Sequence, residues 1–185
     1  PREWGSVGRP YMCTEVRIVD EDDRDLPPGE AGEIIVRGPT VFKGYYNDLE
    51  ETERTLRGGW LHTGDLGKYD DRGYLYVVDR IKDMIKTGGI NVYCREIEEV
   101  LSHHPGVEEG VVIGVPHPKW GESIRAIIIA KKGVTLNEAD VIEHCRQHLA
   151  SHKKPTSVIF VDELPKGTFG GKVLKRVLRE RYGQT

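Results

Sequence analysis

Two hydrophobic rhythms meet in this chain, and their meeting point constrains the fold more than any single residue does. Before Asp79, apolar residues recur at every second position. "TEVRIVD" sets Val16 and Ile18 against polar neighbours, and "GEIIVRG" follows the turn-rich "LPPGEAG". Such alternation predicts two strands joined by a Pro/Gly loop. "NDLEETERTL" then predicts a short helix, with Asn47 or Asp48 as N-cap and acidic residues in its first turn. "WLHTGDLGKYDDRGYLYVVD" reads as a hairpin turning at "DDRG".

After Asp79 the texture changes. "MIKTGGINVY" fits a hairpin closing at Gly88–Gly89. "CREIEEVLSHHPG" spaces Ile97, Val100 and Leu101 as a helix does and is stopped by Pro105. Strands follow at "EGVVIGV" and "IRAIIIA". "TLNEADVIEHCRQHLASH" predicts a longer helix, apolar at Ala139, Val141, Ile142, Cys145 and Leu149 and capped by Thr135 or Asn137. "SVIFVD" returns as a strand and "KVLKRVLRER" closes as a basic helix. Strands alternating with helices imply a compact α/β or α+β domain. The division therefore falls near Arg80–Asp83: residues 1–80 form a β-rich piece and residues 81–185 a small mixed domain, α+β over the whole chain.

Composition narrows the function classes. A chain of 185 residues buries roughly 70% of its unfolded surface, enough for one or two ordinary domains. With 37% hydrophobic and 31% charged residues it has the make-up of a soluble globular protein. A net charge of -3 speaks against a general nucleic-acid binder. Cys13, Cys94 and Cys145 are odd in number and follow no CxxC pattern, which suits reduced thiols in a cytoplasm. No apolar run approaches the ~20 residues of a membrane span. The opening "PREWGSVGRP" has neither an initiator Met nor a signal-peptide pattern, and reads as a piece of something longer.

Several stretches carry chemistry. "DRIKDMIKTGG" gathers Arg80, Lys82 and Lys86 before two glycines. On a strand, Arg80, Lys82, Met84 and Lys86 share one face, with Ile81, Asp83 and Ile85 on the other. On a helix, Lys82 and Lys86 are neighbours. Either geometry offers cations to a phosphate, and either equally fits a solvated basic segment. "WLHTGDLG" holds Asp65 between a glycine and a strand start, where a carboxylate fixed by a turn can accept both hydroxyls of a ribose or simply stabilise its own backbone. In "LPKGTFGGKVLKRVLRE", Pro165, Gly167, Gly170 and Gly171 predict a mobile loop that ends at Lys172. A lysine is a compact charge on a long stem, suited to reaching a phosphate. The basic helix with Lys166, Lys175, Arg176, Arg179 and Arg181 lacks interleaved aromatics and gives little support to a nucleic-acid site. His144, His148 and His152 recur every fourth residue, a metal-like spacing without an HExxH pattern, and are read as a solvated face. Trp120 in "PHPKWGE" fits a core anchor or a ligand groove.

Taken in order, "GEIIVRGPTVFKGYYND", "GGWLHTGDLG", "GYLYVVDRIKDMIKTGGINVYCREIEEVL", "GVPHPKWGE" and "LPKGTFGGKVLKRVLR" resemble successive motifs of the adenylate-forming superfamily. That superfamily comprises acyl-CoA synthetases, peptide-synthetase adenylation domains and luciferases. The resemblance covers nearly the whole chain, and the "TGG" and "GVPHPKWGE" motifs look most like AMP-forming acyl-CoA ligases. It implies the β-rich end of a large N-terminal domain followed by a small, mobile C-terminal domain. It also implies a two-step reaction: a carboxylic acid, a fatty acid foremost, attacks the α-phosphate of ATP to give acyl-adenylate and pyrophosphate, and the thiol of CoA then displaces AMP. Loading of a carrier-protein phosphopantetheine is the alternative within the family; a non-catalytic interaction module is the alternative outside it. Oligomeric state and the identity of the acid are not legible.

Carried over residue by residue, Asp65 matches the ribose-binding aspartate and Arg80 the arginine beside it. Lys82 falls on the hinge. Lys86 matches a lysine facing the nucleotide during thioester formation, and Lys172 the adenylation lysine. Lys82, Lys86 and Lys172 thus join Asp65 and Arg80 in the ATP/AMP set. Gly88 and Gly89 match the turn beside the CoA pantetheine tunnel, where absent side chains let a narrow thiol arm pass close to backbone. Positioned cations lower the barrier for displacement at phosphorus by stabilising charge spread over its oxygens. Three positions depart from the pattern: one extra residue lies between "PKG" and "GK", Cys94 replaces a common proline, and Ile90 stands where Glu or an aromatic is frequent. The phosphate loop, the adenine motif, the acyl pocket and most of the Mg2+ ligation belong to an upstream region not present in the chain, so the piece by itself is expected to be inactive.

Overall fold

A computed structural model of the chain describes residues 3–168 and 171–184. Gly170, expected in the loop before Lys172, lies outside the described residues. The chain forms two compact units, residues 1–82 and residues 83–185.

The first unit is built on a four-stranded antiparallel sheet in the order β1-β2-β3-β4, with β1 at Glu15–Val19, β2 at Gly32–Arg37, β3 at Leu61–Tyr69 and β4 at Leu75–Arg80. The β3–β4 turn is closed by Asp70, whose Oδ1 accepts the amides of Arg72 and Tyr74, while Gly73 takes the left-handed conformation the turn requires. Helix α1, Leu49–Thr55, is capped by Asp48, which accepts the Glu51 amide. Ile18, Val19, Ile34, Ile35 and Leu66 are buried as its apolar core.

The second unit sets helices on both faces of a five-stranded sheet. Strands β5 (Ile85–Thr87) and β6 (Ile90–Val92) form a hairpin. Strand β7 (Val107–His117) pairs antiparallel along β8 (Gly121–Ala130), and β9 (Ser157–Phe160) runs parallel to β8. Helices α2 (Cys94–Ser102) and α3 (Glu138–His148) cover one face, where Ile97, Leu101, Val141 and Cys145 pack on Val112, Ile124 and Ile128. On the other face Leu178 of α4 (Lys175–Tyr182) packs with Val111, Ile113, Ile127 and Leu164. Because successive strand residues point to opposite faces and both faces are covered, "IRAIIIA" is a continuous apolar run, not an alternating one. The chain is a mixed α+β protein, and no helix among the described residues is long and apolar enough to cross a membrane.

Four local expectations are corrected. Residues 80–86 form neither one strand nor one helix: Ile81–Asp83 is a 3-10 turn between β4 and β5, because Asp83 is drawn into the second unit by an ion pair with Arg179 at 2.8 Å. Asp65 lies inside β3, not ahead of a strand. Ala139 is exposed and adds nothing to the buried stripe of α3. His152 leaves the histidine row, since α3 ends at His148 and a 3-10 turn follows at Ser151–Lys153. Within α3, His144 packs its ring on His104 and His148, at 4.8 and 4.5 Å between centroids.

Candidate functional site

Strand β3 does not pair regularly with β2. Between the pairs Glu33↔Leu66 and Ile35↔His62, β2 advances two residues and β3 four. Thr63, Gly64 and Asp65 therefore bulge out of that ladder, and Gly64 adopts φ +71°, a conformation glycine tolerates without steric cost. Side chains replace the missing ladder bonds. The Thr63 hydroxyl donates to the Ile34 carbonyl at 2.7 Å and accepts the Asp65 amide at 3.1 Å. Glu33 accepts the Gly64 amide at 3.0 Å and lies 2.9 Å from His62 Nδ1.

On its other side Asp65 pairs in register with Arg80 of β4. Their side chains meet at 3.2 Å and stay partly open to solvent. Asp65, Arg80 and the exposed Lys82 line a cavity of about 500 Å³, shared with Tyr45, Arg54 and His62. A carboxylate held on a strand bulge and paired with one guanidinium, with polar walls around it, suits a polyol hydroxyl pair near a phosphate.

The second unit offers another concave surface. Gly88 and Gly89 form the two-residue turn of the β5–β6 hairpin with φ +58° and +79°, the left-handed pair such turns demand. A Cβ on Gly89 would meet nothing within 4 Å, so within this chain the requirement is conformational. The Gly88 amide donates to the Trp120 carbonyl at 2.9 Å. Trp120 stacks on His117, centroids 4.4 Å apart and planes 10° off parallel. His117 Nδ1 accepts the Trp120 amide at 3.3 Å. The tryptophan is 43% exposed and lines a cavity of about 400 Å³ with Gly88, Ile90, His152, Lys154 and Thr156. Of the two readings open for Trp120, the groove wall is the one realised.

Lys86 is an exposed residue of β5 whose amide donates to Glu122 at 2.7 Å. Lys172 is exposed as well. Its carbonyl accepts the Gly167 amide at 2.9 Å, and the Leu174 amide donates to Pro165 at 2.8 Å, closing the base of the loop. Helix α4 behind it is tied down by Lys175–Glu98 at 2.7 Å and Arg179–Asp83 at 2.8 Å. Among the described residues no group of three or more His, Cys, Asp or Glu side chains is placed to hold a metal ion. Sequence reasoning missed Glu33, His62 and Thr63. The only available signal was that "GE" and "HTGD" both carried buried-looking polar residues next to strands.

Two family models match this chain, that of the AMP-binding enzyme over residues 1–46 and that of the AMP-binding enzyme C-terminal domain over residues 96–172. The chain belongs to the family of AMP-binding, adenylate-forming enzymes. Similar curated proteins are a long-chain-fatty-acid–CoA ligase of Escherichia coli, 46% identical over 95% of this chain and 31% of the relative, and an octahydro-indenyl propanoyl:CoA ligase of Rhodococcus jostii, 53% identical over 94% of this chain and 32% of the relative. Among solved structures, ATP-bound MatB from Rhodopseudomonas palustris matches 97% of this chain and 36% of its own with a TM-score of 0.90 at 46% identity. The chain thus spans about a third of the length of the relatives it matches.

Proposed function

We propose that the chain is the C-terminal portion of an ATP-dependent, AMP-forming acyl-CoA ligase. The observation that carries this reading is the Asp65–Arg80 pair, set opposite each other across β3 and β4 on the wall of a cavity that Lys82 also lines. In this reading residues 1–80 end the large nucleotide-binding domain and residues 81–185 are the small domain that turns about Lys82 between half-reactions.

Asp65 accepts the ribose hydroxyls and Arg80 holds the carboxylate in place beside them. In the first step a substrate carboxylate oxygen bonds to the α-phosphorus of ATP as the bond to pyrophosphate breaks, with the Lys172 ammonium stabilising the charge on the phosphoryl oxygens. In the second, the CoA sulfur bonds to the acyl carbon, the bond to AMP breaks and the thiol proton is lost. Lys86 faces the nucleotide at that stage. Gly88 and Gly89 bound the path of the pantetheine arm. Trp120 offers a stacking face, and Lys154 and His152 offer donors, to the nucleotide end of CoA, which a carrier-bound phosphopantetheine lacks. In this reading the Mg2+ that accompanies ATP is bound mainly by the region upstream of this chain. A fatty acid remains the foremost substrate, in line with the ligase of Escherichia coli. A cytoplasmic setting suits three cysteines that form no disulfide among the described residues.

The test uses the complete ligase that contains this chain, with short, long and aromatic acids. Acid-dependent ATP–pyrophosphate exchange followed by CoA-dependent release of AMP is expected, and the 185-residue chain alone is expected to show neither. Robust exchange by the chain alone, or thioester formation on a carrier protein but not on CoA, overturns the reading.

A further inference from the structure

Glu33 is a nearly buried carboxylate with three partners and no role in the reaction just described. Its side chain is 13% exposed and that of His62 4%. One oxygen accepts the Gly64 amide at 3.0 Å; the other lies 2.9 Å from His62 Nδ1 and 3.4 Å from the Arg57 guanidinium. Arg57 also reaches Asp23 at 3.4 Å, so the charge of Glu33 is balanced from the solvent side. One of these contacts falls on the residues that β3 holds outside the β2 ladder, through the Gly64 amide, and a second falls on His62, the ladder residue at the edge of the bulge.

A bulge leaves backbone groups without their ladder partners, and buried backbone groups in native proteins find replacements. At this bulge the Gly64 amide finds Glu33. The next residue is Asp65, whose carboxylate must point at the ribose while its backbone stays in register with Arg80. A one-residue relaxation of the bulge would turn the Asp65 side chain to the opposite face of the sheet. Glu33 thus stands between the strand ladder and the orientation of Asp65.

We propose that Glu33 is a positioning residue for ribose recognition: through the Gly64 amide and His62 it holds the β3 bulge in the one register that presents the Asp65 carboxylate. The proposal rests on the ribose reading of Asp65, and its test separates the two. In the complete ligase, acyl-adenylate formation is measured as kcat/KM with ATP and with 2′-deoxy-ATP. Glu33→Gln keeps the side-chain volume and one acceptor oxygen but turns an NH2 either toward the Gly64 amide or toward His62 and the Arg57 guanidinium. It is expected to erode the preference for ATP about three- to tenfold, the effect of losing one hydrogen bond. His62→Asn retains a donor near the Nδ1 position and is expected to preserve the preference, whereas His62→Leu is expected to erode it.

Asp65→Asn is the control for the underlying reading and is expected to abolish the preference. If Asp65→Asn abolishes it while Glu33→Gln and His62→Leu slow both nucleotides equally, Glu33 serves stability alone and the proposal fails, with the ribose reading intact. If Asp65→Asn leaves the preference unchanged, the ribose reading falls and the positioning role falls with it. Should Glu33→Gln not fold, the His62→Leu and His62→Asn pair decides the same question.

Discussion

The two units hold their charged groups by opposite means. In the first, Asp65 and Arg80 sit opposite each other in neighbouring strands, and Thr63 and Glu33 tie the bulge that carries the carboxylate. In the second, Lys86 stands exposed on a three-residue strand and Lys172 stands exposed in a loop closed at its base by backbone bonds. Preorganised groups recognise a ligand feature that does not change during reaction, because they spend nothing on reorganising. A ribose is such a feature. A charge needed at one stage only is better carried on a long stem from a short element, where it can be offered and withdrawn. Under the proposed roles, the contrast is one between fixed recognition and delivered charge.

The contrast is broken most directly at the lysines. In the complete protein that contains this chain, the proposed roles make Lys172→Ala slow acyl-adenylate formation by ~10²–10³ and leave thioester formation from supplied acyl-AMP little changed; Lys86→Ala is expected to do the reverse. Single-turnover measurements of each half-reaction decide, and equal losses in both refute delivered charge. The next effect concerns stability. Leu178 is fully buried against the sheet, so Leu178→Ala is expected to cost the second unit about 2–5 kcal/mol. Trp120 reports this unit, and Trp4 and Trp60 the other. Urea unfolding followed through each set should move only the Trp120 transition; a common shift would mean the units do not unfold separately. Smallest is Gly89→Ala, expected to cost about 1–2 kcal/mol from the left-handed backbone alone, since no atom lies near the added methyl. A larger loss in urea midpoint, or one that Gly89→Asn fails to ease, would point to a packing role in place of a conformational one.

Much of the fold was legible because its signals are local. Asn47 or Asp48 and Thr135 or Asn137 announced two helix starts, of which Asp48 and Asn137 are the caps, and "DDRG" and "TGG" announced the turns that close the hairpins. The site was legible in part. Ordered motifs singled out Asp65, Arg80, Lys86 and Lys172, and of these the structure brings Asp65 and Arg80 together on one cavity wall. The histidine row failed as a pattern because a helix end at His148 depends on Leu149 turning toward extended backbone, which the four-residue spacing does not encode.

By itself the sequence determined the strands and helices, the change of rhythm near residue 80, and the chemistry that its ordered motifs resemble. All of these rest on neighbours within one or two turns, where steric preference and burial act directly. Tertiary structure alone decided that Glu33 serves a residue 31 positions away, and that Asp83 and Arg179 pair across 96. Such partners depend on register, bulges and the direction in which each element returns. These arise only when the whole chain satisfies its buried backbone groups at once.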